Sequence, residues 1–265
     1  MAAFPNCALH LCRFAASSVL ATAVFSQGQT PPEGKGASSP QEIAANLTKM
    51  HQAWGPAMNS PNASISLEEV MRSGGIVKYR LHASGLPHDN RYSLLSWPVT
   101  QKGPSEALTG VTLAESGLAI CAGLPETCGT PDKPNDPIEL TLSPAKSEPL
   151  RVALVSTGEQ KSRAFLKIVP IPNEANDKAC RIESVLLTPG GELVAIQANG
   201  FQPNAELTVD TDSGDERQGG KGKAEADGTY FAVVMPYKKG AQRGTTNLRI
   251  KSAACSPALT FNWGK

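Results

Sequence analysis

The sequence predicts an all-β protein made of two tandem β-sandwiches, placed after a signal peptide, a linker and one short helix. Short runs of alternating apolar and polar residues recur from residue 64 onward, and turns rich in Gly, Pro, Asn and Asp separate them. The composition agrees, because the chain has 24 Gly and 21 Pro but only 5% aromatic residues, a mixture typical of many strands joined by turns. A polar stretch, 171–179, is predicted to be a linker between a first sandwich, 64–170, and a second, 180–265.

The N-terminal segment has the pattern of a secretory signal peptide. An apolar run, "FAASSVLATAVF", follows Arg13 and ends in small residues that suit cleavage near residue 26. We therefore expect residues 1–26 to be removed and the mature chain to be secreted, periplasmic or held at the cell surface. The alternative is a retained N-terminal anchor. The run is short for a membrane span, and we expect no transmembrane segment in the mature chain.

Residues 27–63 are predicted to form a disordered linker that contains one short helix at about 40–54. Ser39, Pro40 and Glu42 provide the capping residues of a helix start. An apolar stripe then recurs at helical spacing, and its members are Ile43, Leu47, Met50 and Trp54. We expect this stripe to pack on the first sandwich, with a partner protein as the alternative.

Four cysteines follow the leader, and they are Cys121, Cys128, Cys180 and Cys255. An even number in an exported chain predicts disulfide bonds. We expect Cys180 to pair with Cys255, which would join the first strand of the second sandwich to a point just before its last strand, and Cys121 to pair with Cys128. A four-thiolate zinc site is the competing interpretation, although the spacing lacks any C-x₂-C pair.

Charge and motifs exclude several classes of function. The 25 basic and 24 acidic residues give a formal net charge of +1, so the chain has no bulk attraction for nucleic acid, and we expect no nucleic-acid partner. The sequence has neither a G-x-S-x-G nucleophile elbow nor a phosphate-binding Walker loop, and we expect no cofactor. His82, His88 and Asp89 could form a metal site in principle, but surface and turn positions are the favoured explanation of these residues.

The best candidate for a site is the acidic run "DTDSGDE", which contains Asp210, Asp212, Asp215 and Glu216. Clustered carboxylates on a loop are ligands that calcium prefers. The order of an EF-hand is not met, because Gly214 falls at the fifth position and Lys221 at the twelfth, where a glutamate is required. A calcium site of another type therefore remains a hypothesis, beside the alternative of solubilising charges on an exposed loop.

The second half of the chain resembles the immunoglobulin-like domains of secreted bacterial proteins. The residues that resemble them are "VAIQANGFQPNAELTV", "EADGTYFAVVMP" and "GAQRGTTNLRIKS". In these domains a strand ends in Gly-Phe, a Pro-Asn turn follows, and Asp-Gly makes a later hairpin. The first half resembles fibronectin type III domains through "SGLPHDNRYSLL". Both resemblances imply a fold rather than a function. The residue types of Gly200, Phe201, Pro203 and Asn204 predict structural roles in a turn, with a direct ligand role as the alternative.

Two functions of different classes follow from these observations. The first is a non-catalytic binding or structural module, at the cell envelope or outside the cell, whose partner is an envelope protein or a glycan. The second is a secreted hydrolase, acting for example on glycans, whose carboxylates are distant in sequence and meet in the fold. Trp54, Trp97 and Trp263 lie in apolar or strand-like runs and are expected to pack internally, which argues against sugar binding by stacked rings without excluding sugar binding.

Overall fold

The computed structural model describes residues 40–121 and 136–264, and in these ranges it contains one α-helix and sixteen β-strands. The helix, α1, spans Pro40–Ala53, and a short 3₁₀ turn follows at Pro56–Met58. The strands are β1 (Ser64–Ser73), β2 (Ile76–Ser84), β3 (Tyr92–Ser96), β4 (Ser105–Leu113), β5 (Ala119–Cys121), β6 (Glu139–Leu142), β7 (Leu150–Ser156), β8 (Arg163–Ile168), β9 (Asn173–Asp177), β10 (Cys180–Leu186), β11 (Val194–Asn199), β12 (Glu206–Ser213), β13 (Glu216–Lys223), β14 (Tyr230–Val234), β15 (Arg243–Lys251) and β16 (Ala258–Gly264). The all-β prediction is confirmed.

The first sandwich is formed by two antiparallel sheets. Sheet A has the order β1-β2-β6, and sheet B has the order β5-β4-β3-β7-β8. Alternate residues of each strand face inward, as on β2, where Val77, Tyr79 and Leu81 are buried while Lys78 and Arg80 between them are half-buried. The inner faces of both sheets share one apolar core, which includes Ile65, Leu81, Leu94, Val111, Val152 and Leu154.

The second sandwich is formed by sheet C, with the order β14-β11-β10-β9, and sheet D, with the order β13-β12-β15-β16. Its core includes Ile182, Ile196, Leu207, Val209, Leu248 and Phe261. A disulfide bond joins Cys180 to Cys255 across a sequence separation of 75 residues, with the two Cα atoms 6.3 Å apart. This bond confirms the predicted pairing of these two cysteines.

The turn at 200–204 has the structure that its residues predict. Gly200 has φ +79°, and a Cβ there would lie 1.9 Å from the carbonyl oxygen of Ala179, so only glycine fits. The ring of Phe201 is buried in the core of the second sandwich. Asn204 adopts the left-handed conformation with φ 60°. This stretch therefore connects two strands and closes one end of the core.

The stretch predicted as a linker, 171–179, is part of the second sandwich. It contains β9, which pairs with β10 and forms one edge of sheet C. Although β9 is polar in sequence, it is held in the sheet by side-chain hydrogen bonds as well as by its backbone pairing. The buried amide of Asn173 donates to the Ser184 hydroxyl at 3.0 Å and to the Thr260 carbonyl at 2.9 Å. The strand β4 was also not expected, since Gly110, with φ 72°, and an irregular register interrupt its alternation.

The helix α1 packs on both sandwiches, whereas the sequence predicted contact with the first alone. Ala44 is buried in a cluster on the outer face of sheet C, together with Val185, Leu187, Leu193 and Ala195, and Leu47 packs against this cluster. Trp54 is buried in a second cluster, on the outer face of sheet B, with Trp97, Ala153 and Phe165. The helix therefore contacts both outer faces, with its earlier residues on sheet C and its later residues, with Trp54, on sheet B.

Two loop residues of the first sandwich also reach the second. Val99 is buried in the core of the second sandwich. Ser147 accepts a hydrogen bond on its carbonyl oxygen from the amide of Leu186 at 2.9 Å, and its hydroxyl lies 2.8 Å from that of Ser184. The two sandwiches are thus joined by packed and hydrogen-bonded contacts in addition to the chain itself. None of the described helices is both long enough and apolar enough to cross a lipid bilayer.

Candidate functional site

The outer face of sheet D presents a polar groove formed by β12, β13 and β15. Leu207 and Val209 of β12 point into the core, so the alternate residues Asp210 and Asp212 point outward. The antiparallel register places Asp210 opposite Gly219 on β13 and opposite Arg249 on β15. Residues opposite each other in a sheet share a face, and their Cβ atoms are about 5 Å apart.

One step along the same face, Asp212 lies opposite Arg217 on β13 and opposite Asn247 on β15. These residues line a cavity of about 570 Å³, together with Gln218 and the small residues Gly219 and Ala258. Because Gly219 has no side chain and Ala258 has only a methyl group, the surface is low beside Asp210 on one side and beside Arg249 on the other. The shape of the groove therefore follows from the pairing of the strands and from the positions of the small residues in them.

The groove is electrically balanced. Its charged lining residues are two aspartates, Asp210 and Asp212, and two arginines, Arg217 and Arg249. Arg217 Nε lies 3.4 Å from Asp212 Oδ2, in a pair whose arginine side chain is 83% exposed, so this contact contributes little to stability. Asp210 and Arg249 take part in no ion pair or side-chain hydrogen bond with any other residue of the described ranges.

The side chain of Asp210 occupies the space that Gly219 leaves. A Cβ at Gly219 would lie 3.0 Å from Asp210 Oδ1, which is closer than an ordinary van der Waals contact. The carboxylate therefore lies over the glycine. A methyl group at position 219 would displace it by a few tenths of an ångström.

The structure does not bring the four calcium candidates together. Asp212 faces Arg217, and Asp215 pairs with Lys238, whose Nζ lies 2.8 Å from Asp215 Oδ1. The hydrogen bond from the Lys238 ammonium lowers the pKa of Asp215. Glu216 begins β13 after the turn. No group of three or more His, Cys, Asp or Glu side chains in the described residues is placed to hold a metal ion.

The remaining predicted residues are spread over the molecule. His82 Nε2 lies 3.0 Å from Glu68 Oε2 on the neighbouring strand, in a surface pair. Cys128 lies outside the described residues, so the Cys121–Cys128 bond stays a prediction. Trp54, Trp97 and Trp263 are buried, with 5%, 3% and 6% of their surface exposed, as their surroundings in the sequence predict.

A buried polar cluster between the sandwiches was not predicted from the sequence. His51 of α1 is 1% exposed, and its Nδ1 accepts a hydrogen bond from Arg151 Nη2 of β7 at 3.0 Å. Lys167 Nζ of β8 donates to the His51 carbonyl at 2.8 Å. The amide of Gln197, on β11 of the second sandwich, lies 3.2 Å from His51 Nε2. The imidazole therefore contacts both sandwiches.

Burial controls the charges in this cluster. Desolvation, followed by the nearby cations Lys167 and Arg151, lowers the pKa of His51 to about 3, so the imidazole is neutral at ordinary pH. Desolvation and then Arg151 lower the pKa of Lys167 to about 8. The guanidinium of Arg151 lies 4.5 Å from the centre of the Trp97 ring, and its Nε is buried without a hydrogen-bond partner. The sequence contained one signal of this cluster, the charged residue Arg151 inside the apolar run "LRVALVS".

The groove also contains residues that sequence reasoning missed. The acidic run gave Asp210 and Asp212, but Arg217, Asn247 and Arg249 were not identified. The available signal was the strict alternation along β12 and β15, which sorts inward from outward residues. The pairing of β12 with β15, however, joins residues about forty apart in the chain, and a single sequence does not reveal it.

No protein-family model and no curated protein matches the sequence. Solved structures similar to the chain include one of the receptor tyrosine kinase Torso, concerned with neurohormone perception, at 6% identity and a TM-score of 0.21, covering 88% of this chain and 94% of that one. Another is a DUF3823 family protein from Bacteroides ovatus, at 9% identity and a TM-score of 0.20, covering 77% of this chain and 99% of that one. Similarity at these TM-scores identifies no family for the chain.

Proposed function

We propose that this protein is an exported, non-catalytic binding module, and that the groove on sheet D holds its ligand at the cell envelope or outside the cell. The observation that supports this proposal is the groove itself, a cavity of about 570 Å³ with outward-facing acid, base and amide groups. Asp210 and Arg249 have no structural partner among the described residues, so their polar atoms are available to a ligand.

A rigid scaffold supports the groove. The aspartates lie on β12, which is paired on both sides, with β13 and with β15. Side chains on paired strands are held more precisely than side chains on loops, which lowers the entropy cost of binding. Export is supported by the signal-peptide pattern of residues 1–26 and by the Cys180–Cys255 bond, which is typical of oxidising compartments.

A glycan hydrolase is the second candidate, and one observation favours it. Asp210 and Asp212 lie on one face two residues apart, which is about 7 Å along a strand, a separation found between the carboxyl groups of inverting glycosidases. Their setting favours binding, however. A general acid is normally enclosed and desolvated, whereas Asp210 is exposed and the Asp212 side chain is 39% exposed beside an arginine.

Co-sedimentation with purified cell envelopes tests the proposal. We compare the mature chain with Asp210→Ala, Arg249→Ala and, as a matched control, Lys221→Ala. Lys221 lies on β13 opposite Thr208 and outside the groove lining. Both groove variants should bind envelopes about tenfold more weakly, corresponding to about 1.4 kcal/mol, while the control binds as the parent protein does. Equal binding by all four proteins would exclude the groove as the site.

Two further measurements test the rest of the proposal. Release of new reducing ends from envelope glycans, lost in Asp210→Ala, would establish the hydrolase instead. Intact-mass analysis of exported protein should show that residues 1 to about 26 are missing. Recovery of Met1 on the exported chain would contradict this part of the proposal.

A further inference from the structure

We infer that the groove on sheet D binds a neutral saccharide through hydrogen bonds to its hydroxyl groups. This inference rests on the proposed function, since it names the class of ligand for the same groove. It is drawn from three properties of the lining residues: their balanced charge, their hydrogen-bonding groups, and the absence of aromatic side chains among them.

The charge of the groove selects against ions. Two carboxylates and two guanidinium groups line it, so their formal charges cancel. An anionic ligand would meet Asp210 and Asp212, and a cationic ligand would meet Arg217 and Arg249. Each ion would therefore meet two like and two opposite charges and gain no net attraction from the groove, while it loses part of its hydration. An uncharged ligand does not incur this cost.

The polar groups suit adjacent hydroxyls. The carboxylate of Asp210 accepts hydrogen bonds only, and the guanidinium of Arg249 donates only. The amide nitrogen of Asn247 is a further donor, since its oxygen already accepts a hydrogen bond from the Thr260 hydroxyl at 2.6 Å. A sugar hydroxyl donates one hydrogen bond and accepts others, so it can bridge an acceptor and a donor placed side by side. The pair Asp210 and Arg249, opposite each other in the sheet, is such an arrangement.

The same composition argues against a protein partner and against an apolar small molecule. The cores of protein interfaces are enriched in aromatic residues and Met and depleted of charged residues, whereas four of the ten residues that line the groove are charged and none is aromatic. A peptide added as an extra strand would pair with the free edge of β13 and would not occupy the outward face of β12 and β15, which are both paired on each side. Apolar ligands need a largely apolar pocket, which this groove is not.

The absence of a stacking ring sets the expected strength. Without aromatic contact, affinity comes from exposed hydrogen bonds, each with a modest net contribution. We therefore expect a Kd on the order of 10⁻³ M for a short oligosaccharide. Because no ion pair forms with the ligand, this Kd should change little between low and high salt.

Titration followed by NMR chemical shifts tests the inference with defined probes. The probes are pentasaccharides of glucose, mannose and N-acetylglucosamine as the neutral set, with oligogalacturonate and chitosan oligomers as the anionic and cationic sets. At least one neutral probe should shift the amide signals of β12 and β15 and saturate. Asp210→Ala and Arg249→Ala should weaken this binding about tenfold, and Lys221→Ala should not.

Gly219→Ala provides a variant that keeps every polar group. Its methyl group would crowd Asp210 Oδ1, which would lie 3.0 Å away, so we expect binding of the neutral probe to fall severalfold. Asp210→Asn keeps the shape of the side chain and replaces one acceptor oxygen with a donor, so it should weaken binding as well. These two variants also cover the case in which Asp210→Ala disturbs the fold.

The outcomes separate this inference from the function on which it rests. If only charged oligomers bind, and Asp210→Ala abolishes their binding, the groove is a ligand site but the ligand is not neutral. If envelope binding depends on Asp210 and is abolished by protease treatment of the envelopes, the partner is a protein and the inference is wrong. If neutral probes bind equally well to the parent protein, Asp210→Ala and Arg249→Ala, both the inference and the proposed site are wrong.

Discussion

The buried imidazole of His51 makes the stability of the fold depend on pH. Its pKa is about 3 in the folded chain, below the ordinary value of 6.5, because the ring is desolvated between Lys167, Arg151 and Gln197. In the unfolded chain the imidazole takes up a proton as the pH falls through 6.5, while the folded chain does not until about pH 3. The unfolded state therefore binds more protons in this window, and stability falls as the pH is lowered.

The size of this effect follows from one proton. Each pH unit between the two pKa values changes the free energy of unfolding by about 1.4 kcal/mol. Between pH 7 and pH 5 the loss is about 2 kcal/mol, because the unfolded imidazole is only partly protonated near its own pKa. Lys167, with a pKa of about 8, is charged in both states in this window and adds no slope. Burial raises the pKa of Glu183, so the folded chain takes up this proton before the unfolded chain does, and this group adds stability as the pH falls at the acidic end of the range.

His51→Asn isolates the contribution of the imidazole. Its side-chain oxygen can still accept a hydrogen bond from Arg151, but it does not titrate. Urea unfolding at pH 5, 6 and 7 gives the dependence of the free energy of unfolding on pH for each protein. Glu183 contributes to this dependence in both. The parent protein should lose about 2 kcal/mol more than the variant between pH 7 and pH 5. Equal slopes would refute the assignment of a neutral, buried His51.

Three further changes should alter stability in proportion to the contacts they remove. Replacing Cys180 and Cys255 with Ala should lower the free energy of unfolding by about 4.5 kcal/mol, because the bond closes a loop of 75 residues. Urea unfolding under non-reducing conditions measures this loss, and a value below about 1 kcal/mol would contradict the prediction. Trp54→Ala should lower the free energy of unfolding by about 3–5 kcal/mol, since the ring is only 5% exposed. The midpoint of thermal unfolding of Trp54→Phe should lie between those of the parent protein and Trp54→Ala. Gly200→Ala should cost more than about 2 kcal/mol through the positive φ and the clash with a carbonyl oxygen. In the same measurement Gly158→Ala should be close to neutral, because a Cβ at Gly158 meets nothing within 4 Å, and equal losses for the two glycines would argue against the turn described here.

Local patterns were sufficient to predict the class of fold and several turns. Alternation along β2 and β12 identified their buried faces, and the residues of the turn after β11 identified its geometry. The position of Cys180 and Cys255 near opposite ends of the second sandwich was sufficient for the disulfide. In each of these cases the physical cause lies within a few residues, or near the two ends of one sandwich.

The features that the sequence did not predict depend on pairings between distant residues. The strand β9 is polar, and hydrogen bonds from Asn173 to Ser184 and Thr260 secure it. The groove requires β12 to lie between β13 and β15, which decides that Asp210 meets Arg249. The second contact of α1 was missed because the spacing of an apolar stripe does not show which sheet each of its residues meets. Leu47 packs against the cluster on sheet C, and Met50 packs against the cluster on sheet B.

The position of α1 between the sandwiches has a consequence for the order of folding. The helix precedes every strand that the structure describes, yet the cluster that it covers on sheet C includes Phe231 and Met235. A chain that folds in N-to-C order therefore presents this helix early and can complete its contact with sheet C only after β14 has formed. Until then, the apolar outer face of sheet C is open to water and to other chains. The interval before the helix docks is thus the stage at which the protein is most exposed to aggregation.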